Sequence, residues 1–470
     1  MIDIRANMTW LVPYVASVVL TKGVALITLP LLTSHLTPAE FGRLDLVVSV
    51  IEVAGLILSF CAADILFRFS GSGDAAESRR NAASIAGGVL ALSISIGSLL
   101  QIVLVFARSS LEGAIDVDML AVGLLCASFS ALIELPLAWL RSHGSATTFL
   151  YYVGARSLIQ TGVMALTLTN GYGAFGLLAG NAAVDACFAF TLLWRQARET
   201  GLRLDADLFS RAIRYGWPLV FGGVAMFILG NCDRWFLASS VSSEALAHYA
   251  LAVKLATIVA LAMQPFGLWW NARRLRILQE PEGDRRSAEA IAWGFASLSI
   301  GAIWVAVVAP KLIIYFVPAA YAPSIIWLPW VVLIIAMNET SALMNVSAYI
   351  GKRATAALIV NAGGAMAALA GYIILAPGWG IAGAIAATIA GQSVRMIAYG
   401  LHGARYAPIP YRWIRMTTMA GIAFLTFYAA QTLDDMVLRF VLMTFSSLAI
   451  VLLAAIGREK DHCALEKSAA

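Results

Sequence analysis

The chain has 470 residues, 60% of them hydrophobic and 13% charged, with a net charge of +5. Soluble chains are about a quarter charged, and a membrane-spanning helix needs roughly 20 apolar residues. The composition therefore excludes a soluble enzyme of this length and leaves room for about fourteen spans; the predicted class is an all-α polytopic membrane protein.

In chain order, apolar segments of spanning length run over 10–33, 44–69, 82–107, 118–140, 147–169, 174–194, 215–238, 246–270, 288–309, 325–350, 355–376, 380–400, 414–432 and 438–457. Most are bounded by Gly, Pro or charge clusters. The first continues without a small-residue cleavage site and reads as a retained span, not a signal peptide. With the amino terminus inside, the inner loops hold 22 Lys and Arg residues and the outer loops four, Arg43, Arg108, Lys311 and Arg439. One missed or spurious span would invert every later loop, so this asymmetry supports fourteen spans with both termini cytoplasmic. It also explains the basic surplus as an orientation signal, which removes nucleic acid as a partner. Cys61, Cys126, Cys187, Cys232 and Cys463 lack metal-ligand spacing, and no metal site is expected.

The chain repeats itself. Gly171, Gly173 and Gly176 of NGYGAFGLLAG fall on Gly378, Gly380 and Gly383 of PGWGIAGAIAA at an offset of 207. Arg141 to Thr147 parallels Gly351 to Thr355 near 208, and LTPAEFGRLDLVVSV resembles SSEALAHYALAVKLA at 205. Three weak matches at one offset argue for a duplication. Six spans separate the copies, so the halves share an orientation. The expected organisation is an N-terminal six-helix bundle over 1–203, a second over 204–403, and helices 13–14 with a cytoplasmic tail over 404–470.

Ionisable side chains inside spans cost about 2.5–3.5 kcal/mol and should face a cavity or pair. Lys22 lies about twelve residues into span 1, near the bilayer midplane. Glu52 and Lys254 each lie about eight residues from the outer ends of repeat-equivalent spans, where they are candidates to face each other as a gate or share one polar site. Asp64 and Arg68 have the spacing of a local ion pair. Asp233 and Arg234 are adjacent near the outer surface and point to different faces, with one expected to reach solvent. Arg395 is expected to snorkel to the inner interface. Glu134 and Glu339 are candidate proton or sodium sites, or hydrogen-bonded structural acids. Arg156 and Asp185 complete the set.

Enzymatic constellations do not emerge. Phosphate-loop, HExxH and paired CxxC patterns are missing, and the five histidines are scattered. Gly-x-Gly-x-x-Gly occurs at 171–176 and 378–383, but beside spans, where glycines serve tight turns and close helix approach. Tryptophans such as Trp194, Trp217, Trp269 and Trp270 sit near inner interfaces as an aromatic belt. The chain is expected to be a transporter without catalytic residues or a resident cofactor.

The run KGVALITLPLLTSHLTPAEFGRLDL resembles the first helix and outer loop of Wzx-type polysaccharide flippases, of the multidrug/oligosaccharidyl-lipid/polysaccharide exporter superfamily. NCDRWFLASSVSSEALAHYALAVKLATIVALAMQPFGLWW resembles their seventh and eighth helices, including Asp233, Arg234, Tyr249 and Lys254. Ala247 stands where that family is expected to have glycine. The resemblance implies translocation of an undecaprenyl-diphosphate-linked oligosaccharide across the bacterial inner membrane, by alternating access coupled to H+ or Na+. Lys22, Lys254 and Arg234 would then supply a cationic cavity for the diphosphate, and Glu52, Asp233, Glu339 and Glu134 would couple or gate. Expected partners are the lipid-linked substrate, membrane lipids and polysaccharide polymerase or export machinery. A cation-coupled multidrug antiporter, a lipid II flippase and a polytopic glycan polymerase or ligase remain as alternatives.

Overall fold

The structure is a computed structural model that describes residues 17, 20, 21, 23, 24, 26–70, 74–111, 115–143, 145–350 and 355–468. Lys22 and the inner-loop pair Lys352 and Arg353 lie outside these residues. Among the described residues every regular element is helical. Ten helices among the described residues are long and apolar enough to cross a membrane. One of them runs 52 residues, Thr355–Tyr406, about 78 Å at 1.5 Å per residue. That exceeds twice the roughly 30 Å hydrocarbon core, and Gly380 breaks it at φ 53° and ψ −130°. This conformation strains any residue with a Cβ. The repeat-equivalent Gly173 also has positive φ, at 59°, so the recurring glycine motif makes a turn in both copies.

The chain forms two compact units, the first ending at Ala247 and the second beginning at His248. In the first, helices α1 (Leu29–His35), α2 (Pro38–Ser59), α3 (Ala62–Ser70), α4 (Ala75–Leu111), α5 (Val117–Ser142), α6 (Ala146–Thr169), α7 (Gly173–Thr200), α8 (Ala206–Gly230) and α9 (Asp233–Ser240) follow in order. Helix α5 is the hub and packs against α2, α3, α4 and α7. Its inward faces carry Leu135, Ala138 and Ala127, each at most 1% exposed. Span seven, made of α8 and α9, packs on α2, α3 and α4 inside this unit.

Helix starts are written locally. Thr37 and Glu40 form a reciprocal capping box at the start of α2, with Pro38 in the first turn. Two orphan amide donors are thereby satisfied at the first turn of α2. Asp116 accepts from the Met119 amide at 3.0 Å to start α5. Asp205 accepts from the Asp207 and Leu208 amides to start α8. Close helix approach needs glycine at one position above all. A Cβ on Gly42 would lie 1.9 Å from the Ser243 carbonyl oxygen.

The second unit takes most of α10 (Ser243–Gln279), then α11 (Gly283–Phe316), α12 (Ser324–Met344), α13 (Thr355–Tyr406), α14 (Trp413–Thr432) and α15 (Met436–Ser468). The last pair, which lies outside the sequence repeat, docks on α11 through Ile303, Met419, Met443 and Ile450. Trp304 donates to Ser447 at 3.1 Å, and Thr426 to Ser446 at 2.7 Å, so polar side chains also tie the added pair in place. In the α13–α14 connection Tyr411 is enclosed, and burial pushes its hydroxyl up to about 12.

Candidate functional site

Polar groups in the first unit gather at three depths. The outermost lies on α2 and α9. Asp45 is eight residues into α2, so it stands about 10 Å below the helix start. The Arg234 guanidinium donates from Nε to Asp45 Oδ2 at 2.7 Å and from Nη1 to Asp233 Oδ1 and Asn231 Oδ1, each at 3.1 Å. Asp45, Asp233 and Arg234 are 4%, 2% and 5% exposed. The expectation that Asp233 or Arg234 reaches solvent is therefore corrected. Adjacent residues at a helix start can fold back on each other, and Arg234 is held by two carboxylates. Such a triad staples α2 to α9, because removing one member would strand a charge in a dry interior. Beside it, Trp235 donates to Ser49 at 2.9 Å.

A second group lies near mid-depth. Arg156 is ten residues into α6, about 15 Å along it, and Asp185 is twelve residues into α7. Arg156 Nε donates to Asp185 Oδ1 at 2.7 Å and Nη2 donates to Ser130 Oγ at 2.9 Å. Ser130 in turn donates to Asp185 Oδ2 at 2.7 Å, and Gln160 Nε2 donates to Oδ1 at 2.9 Å. Three elements, α5, α6 and α7, thus converge on one carboxylate. Asp185 is buried while the Arg156 side chain keeps 26% exposure, because it borders a cavity of about 330 Å³.

The third group surrounds a break in span two. Phe60, at φ 48° and ψ 37°, and Cys61, at φ 52°, take the left-handed conformation between α2 and α3. For residues other than glycine this costs about 1–2 kcal/mol each. The freed Leu58 carbonyl accepts from Ser93 at 2.9 Å. Glu134, half-buried on α5, lies within hydrogen-bonding reach of Ser59 at this break. Arg68 packs over the Tyr215 ring at 5.9 Å, and the described ion pairs do not join it to Asp64. Glu52 is exposed on α2, between the first and third groups.

In the second unit the buried polar centre is Arg395 on α13. It donates to Asn361 Oδ1 at 2.9 Å, Asn338 Oδ1 at 2.6 Å and Gln392 Oε1 at 3.3 Å. Asn361 also accepts from Tyr399 at 2.9 Å, and Asn338 donates to Glu339 at 3.3 Å. Arg395 is 3% exposed, so the snorkelling expectation is corrected. Three amide oxygens on α12 and α13 replace the water that the interface would have offered. Further in, Arg274 bonds Asn345 and lies over the Tyr349 ring at 4.5 Å; burial lowers its pKa. Lys254 is half-buried on α10. An apolar cavity of about 480 Å³ opens between α11, α12 and α14, walled by Phe295, Trp330, Phe424 and Phe427.

The structure thus brings Asp233 and Arg234 together, and places Glu134 and Glu52 elsewhere in the first unit and Lys254 and Glu339 in the second. Asp45, Ser130, Gln160, Asn338 and Asn361 were not foreseen. Asp45 stands at the very edge of its apolar segment, and the others are uncharged. Their signal was an amide or hydroxyl inside an apolar run, which a search for charge alone passes over. Among the described residues no group of three His, Cys, Asp or Glu side chains is arranged to hold a metal ion.

Comparison with known proteins adds two findings. Residues 5–267, more than half of the chain, match the model of the family described as "Polysaccharide biosynthesis protein". By structure, the chain is similar to "Lipid II flippase MurJ, inward closed conformation", with TM-score 0.71 and 11% identity over 97% of this chain and 100% of that one. It is also similar to an inward-facing multidrug resistance MATE family transporter of the MOP superfamily, at TM-score 0.59 and 14% identity over 83% of this chain and 94% of that one. The MATE multidrug transporter DinF-BH matches at TM-score 0.60 and 12% identity, over 87% and 97%. No curated protein matches the sequence significantly. At these identities the structural likenesses establish the fold, which is one that membrane transporters of the MOP superfamily use.

Proposed function

Because the chain belongs to the polysaccharide biosynthesis protein family, we propose that it is a flippase moving an undecaprenyl-diphosphate-linked oligosaccharide across the bacterial inner membrane for polysaccharide assembly. The carrying observation is a polar centre midway along α6 and α7, Arg156 with Asp185, Ser130 and Gln160, bordering a cavity of about 330 Å³. A charged, hydroxyl-rich headgroup needs polar surface to avoid the desolvation cost of crossing hydrocarbon. The prenyl tail has no such need, and the apolar cavity between α11, α12 and α14 suits its chemistry.

In this reading both termini are cytoplasmic, transport proceeds by alternating access, and the moving parts are the bundles 1–203 and 204–403, with 404–470 as an added pair. Lys22 and Lys254 contact the diphosphate, as compact cations that accept any approach angle of phosphate oxygen. Arg234 acts at one remove, holding α2 against α9. Glu52, Glu134 and Glu339 are the candidate acids for coupling to H+ or Na+, with Asp233 committed to Arg234. Polymerase or export machinery would receive the flipped product.

The test is export in cells. In Lys22→Ala and Lys254→Ala variants that insert normally, surface polysaccharide falls at least about tenfold, about 1.4 kcal/mol, and lipid-linked repeat units accumulate on the cytoplasmic face. Normal export in both variants removes the cationic-contact assignment. Depletion that is lethal through loss of peptidoglycan, with surface polysaccharide unaffected, replaces the glycan reading by transport of lipid II.

A further inference from the structure

The cavity of the first unit has a wall whose hydrogen-bonding capacity is largely of one kind. Thr161 Oγ1 donates to the Ser157 carbonyl at 2.8 Å. Its hydroxyl proton is thus spent on the helix, and its oxygen is left to accept. Gln160 spends its amine on Asp185, which leaves its carbonyl oxygen. Asn181 Oδ1 is buried and accepts from no donor among the described residues. A buried acceptor left without a donor costs about 1–3 kcal/mol, so this one calls for a partner that the cavity can admit. Arg156 contributes the opposite capacity. Its Nε and Nη2 are engaged by Asp185 and Ser130, and Nη1 has no described acceptor.

Three ligand chemistries can be weighed against this wall. A phosphate oxygen only accepts, so it meets three acceptors and a guanidinium already neutralised by Asp185. A bare cation meets oxygen ligands but is opposed by Arg156, while the Asp185 oxygens are filled by three donors. A sugar carries several hydroxyls, each of which donates one hydrogen bond and accepts others, so together they satisfy the three oxygens and Arg156 Nη1. The volume of about 330 Å³ lies within the range of small-ligand pockets, and Val153 and Met164 on the same wall offer apolar surface to the C–H face of a ring.

We propose that this cavity is a subsite for a sugar of the glycan headgroup, with Asn181, Thr161 and Gln160 accepting from its hydroxyls and Arg156 donating to it. The proposal rests on the flippase reading and adds the place where the glycan, as distinct from the diphosphate, is recognised.

The experiment uses the full chain in lipid nanodiscs and two probes: the lipid-linked oligosaccharide fraction that accumulates when the protein is depleted from cells, and undecaprenyl diphosphate. The wild type should bind the glycosylated probe about tenfold more tightly than the bare diphosphate. Asn181→Leu should abolish that preference and leave undecaprenyl diphosphate binding within about twofold. Thr161→Val, which keeps the shape of the side chain, should lower the preference by a smaller factor, and its result decides if Asn181→Leu does not fold. A preference that survives in the folded variants, or a wild type that binds both probes equally, overturns the subsite and leaves the flippase reading standing. Equal loss of both probes in the variants also overturns it, as general damage. A wild type that binds neither probe overturns the subsite and the flippase reading together.

Discussion

Both units hold an arginine well inside a long helix, and they neutralise it by different means. In the first, Arg156 is paired directly with Asp185 and remains partly open beside a polar cavity. In the second, Arg395 is closed off and bonded to three side-chain amide oxygens, with Glu339 joined only through Asn338. The repeat places Gln392 at the position of Asp185, since both follow their glycine motifs at an offset of 207. The substitution of an amide for a carboxylate changes the physics of the site. A carboxylate cancels the charge, so removing it strands the arginine. Amides solvate the charge without cancelling it, and the loss of one leaves two.

The largest expected effect follows from that contrast. Asp185→Ala should cost about 3 kcal/mol of unfolding stability in detergent, while the double replacement Arg156→Leu with Asp185→Leu should recover most of it. A double variant no more stable than Asp185→Ala would show that the pair is held by packing instead of charge. The corresponding change in the second unit, Asn361→Leu, should cost only about 1–2 kcal/mol. If thermal melts give it the larger loss of the two, the distinction drawn here fails.

The smallest effects concern the two backbone breaks. The second unit breaks α13 on Gly380, whereas the first breaks span two on Phe60 and Cys61. Gly380→Ala should destabilise by about 1–2 kcal/mol, and Cys61→Gly should stabilise by up to about 1 kcal/mol, both read from melting midpoints at matched detergent. A stabilised Cys61→Gly protein with reduced export would mark the strain as useful to transport. Unchanged export would mark it as tolerated geometry.

Much of this architecture was legible in the sequence. Among the described residues the apolar segments after the first correspond to helices. Gly173 and Gly380 of the recurring motif lie at turns with positive φ. The charged residues were harder to read. Asp233 and Arg234 suggested divergent faces, yet the short helix α9 begins at Asp233, and there the side chain meets its neighbour's guanidinium. Arg395 suggested a route to the interface, because the sequence does not reveal that Asn338 from α12 and Asn361 from the limb of α13 before Gly380 receive it. Span seven also illustrates the limit. The repeat groups it with the second half, while its packing on α2, α3 and α4 places it in the first compact unit.

The sequence by itself determined the solvent of this protein and its helical class. These depend on composition and on the length of apolar runs, both of which are local. Only the tertiary structure decided which buried charges are spent on each other and which border a cavity. Asp45 and Arg234 lie 189 positions apart, and Ser130, Arg156 and Asp185 come from three helices, so their meeting depends on how helices pack. No local pattern carries that information.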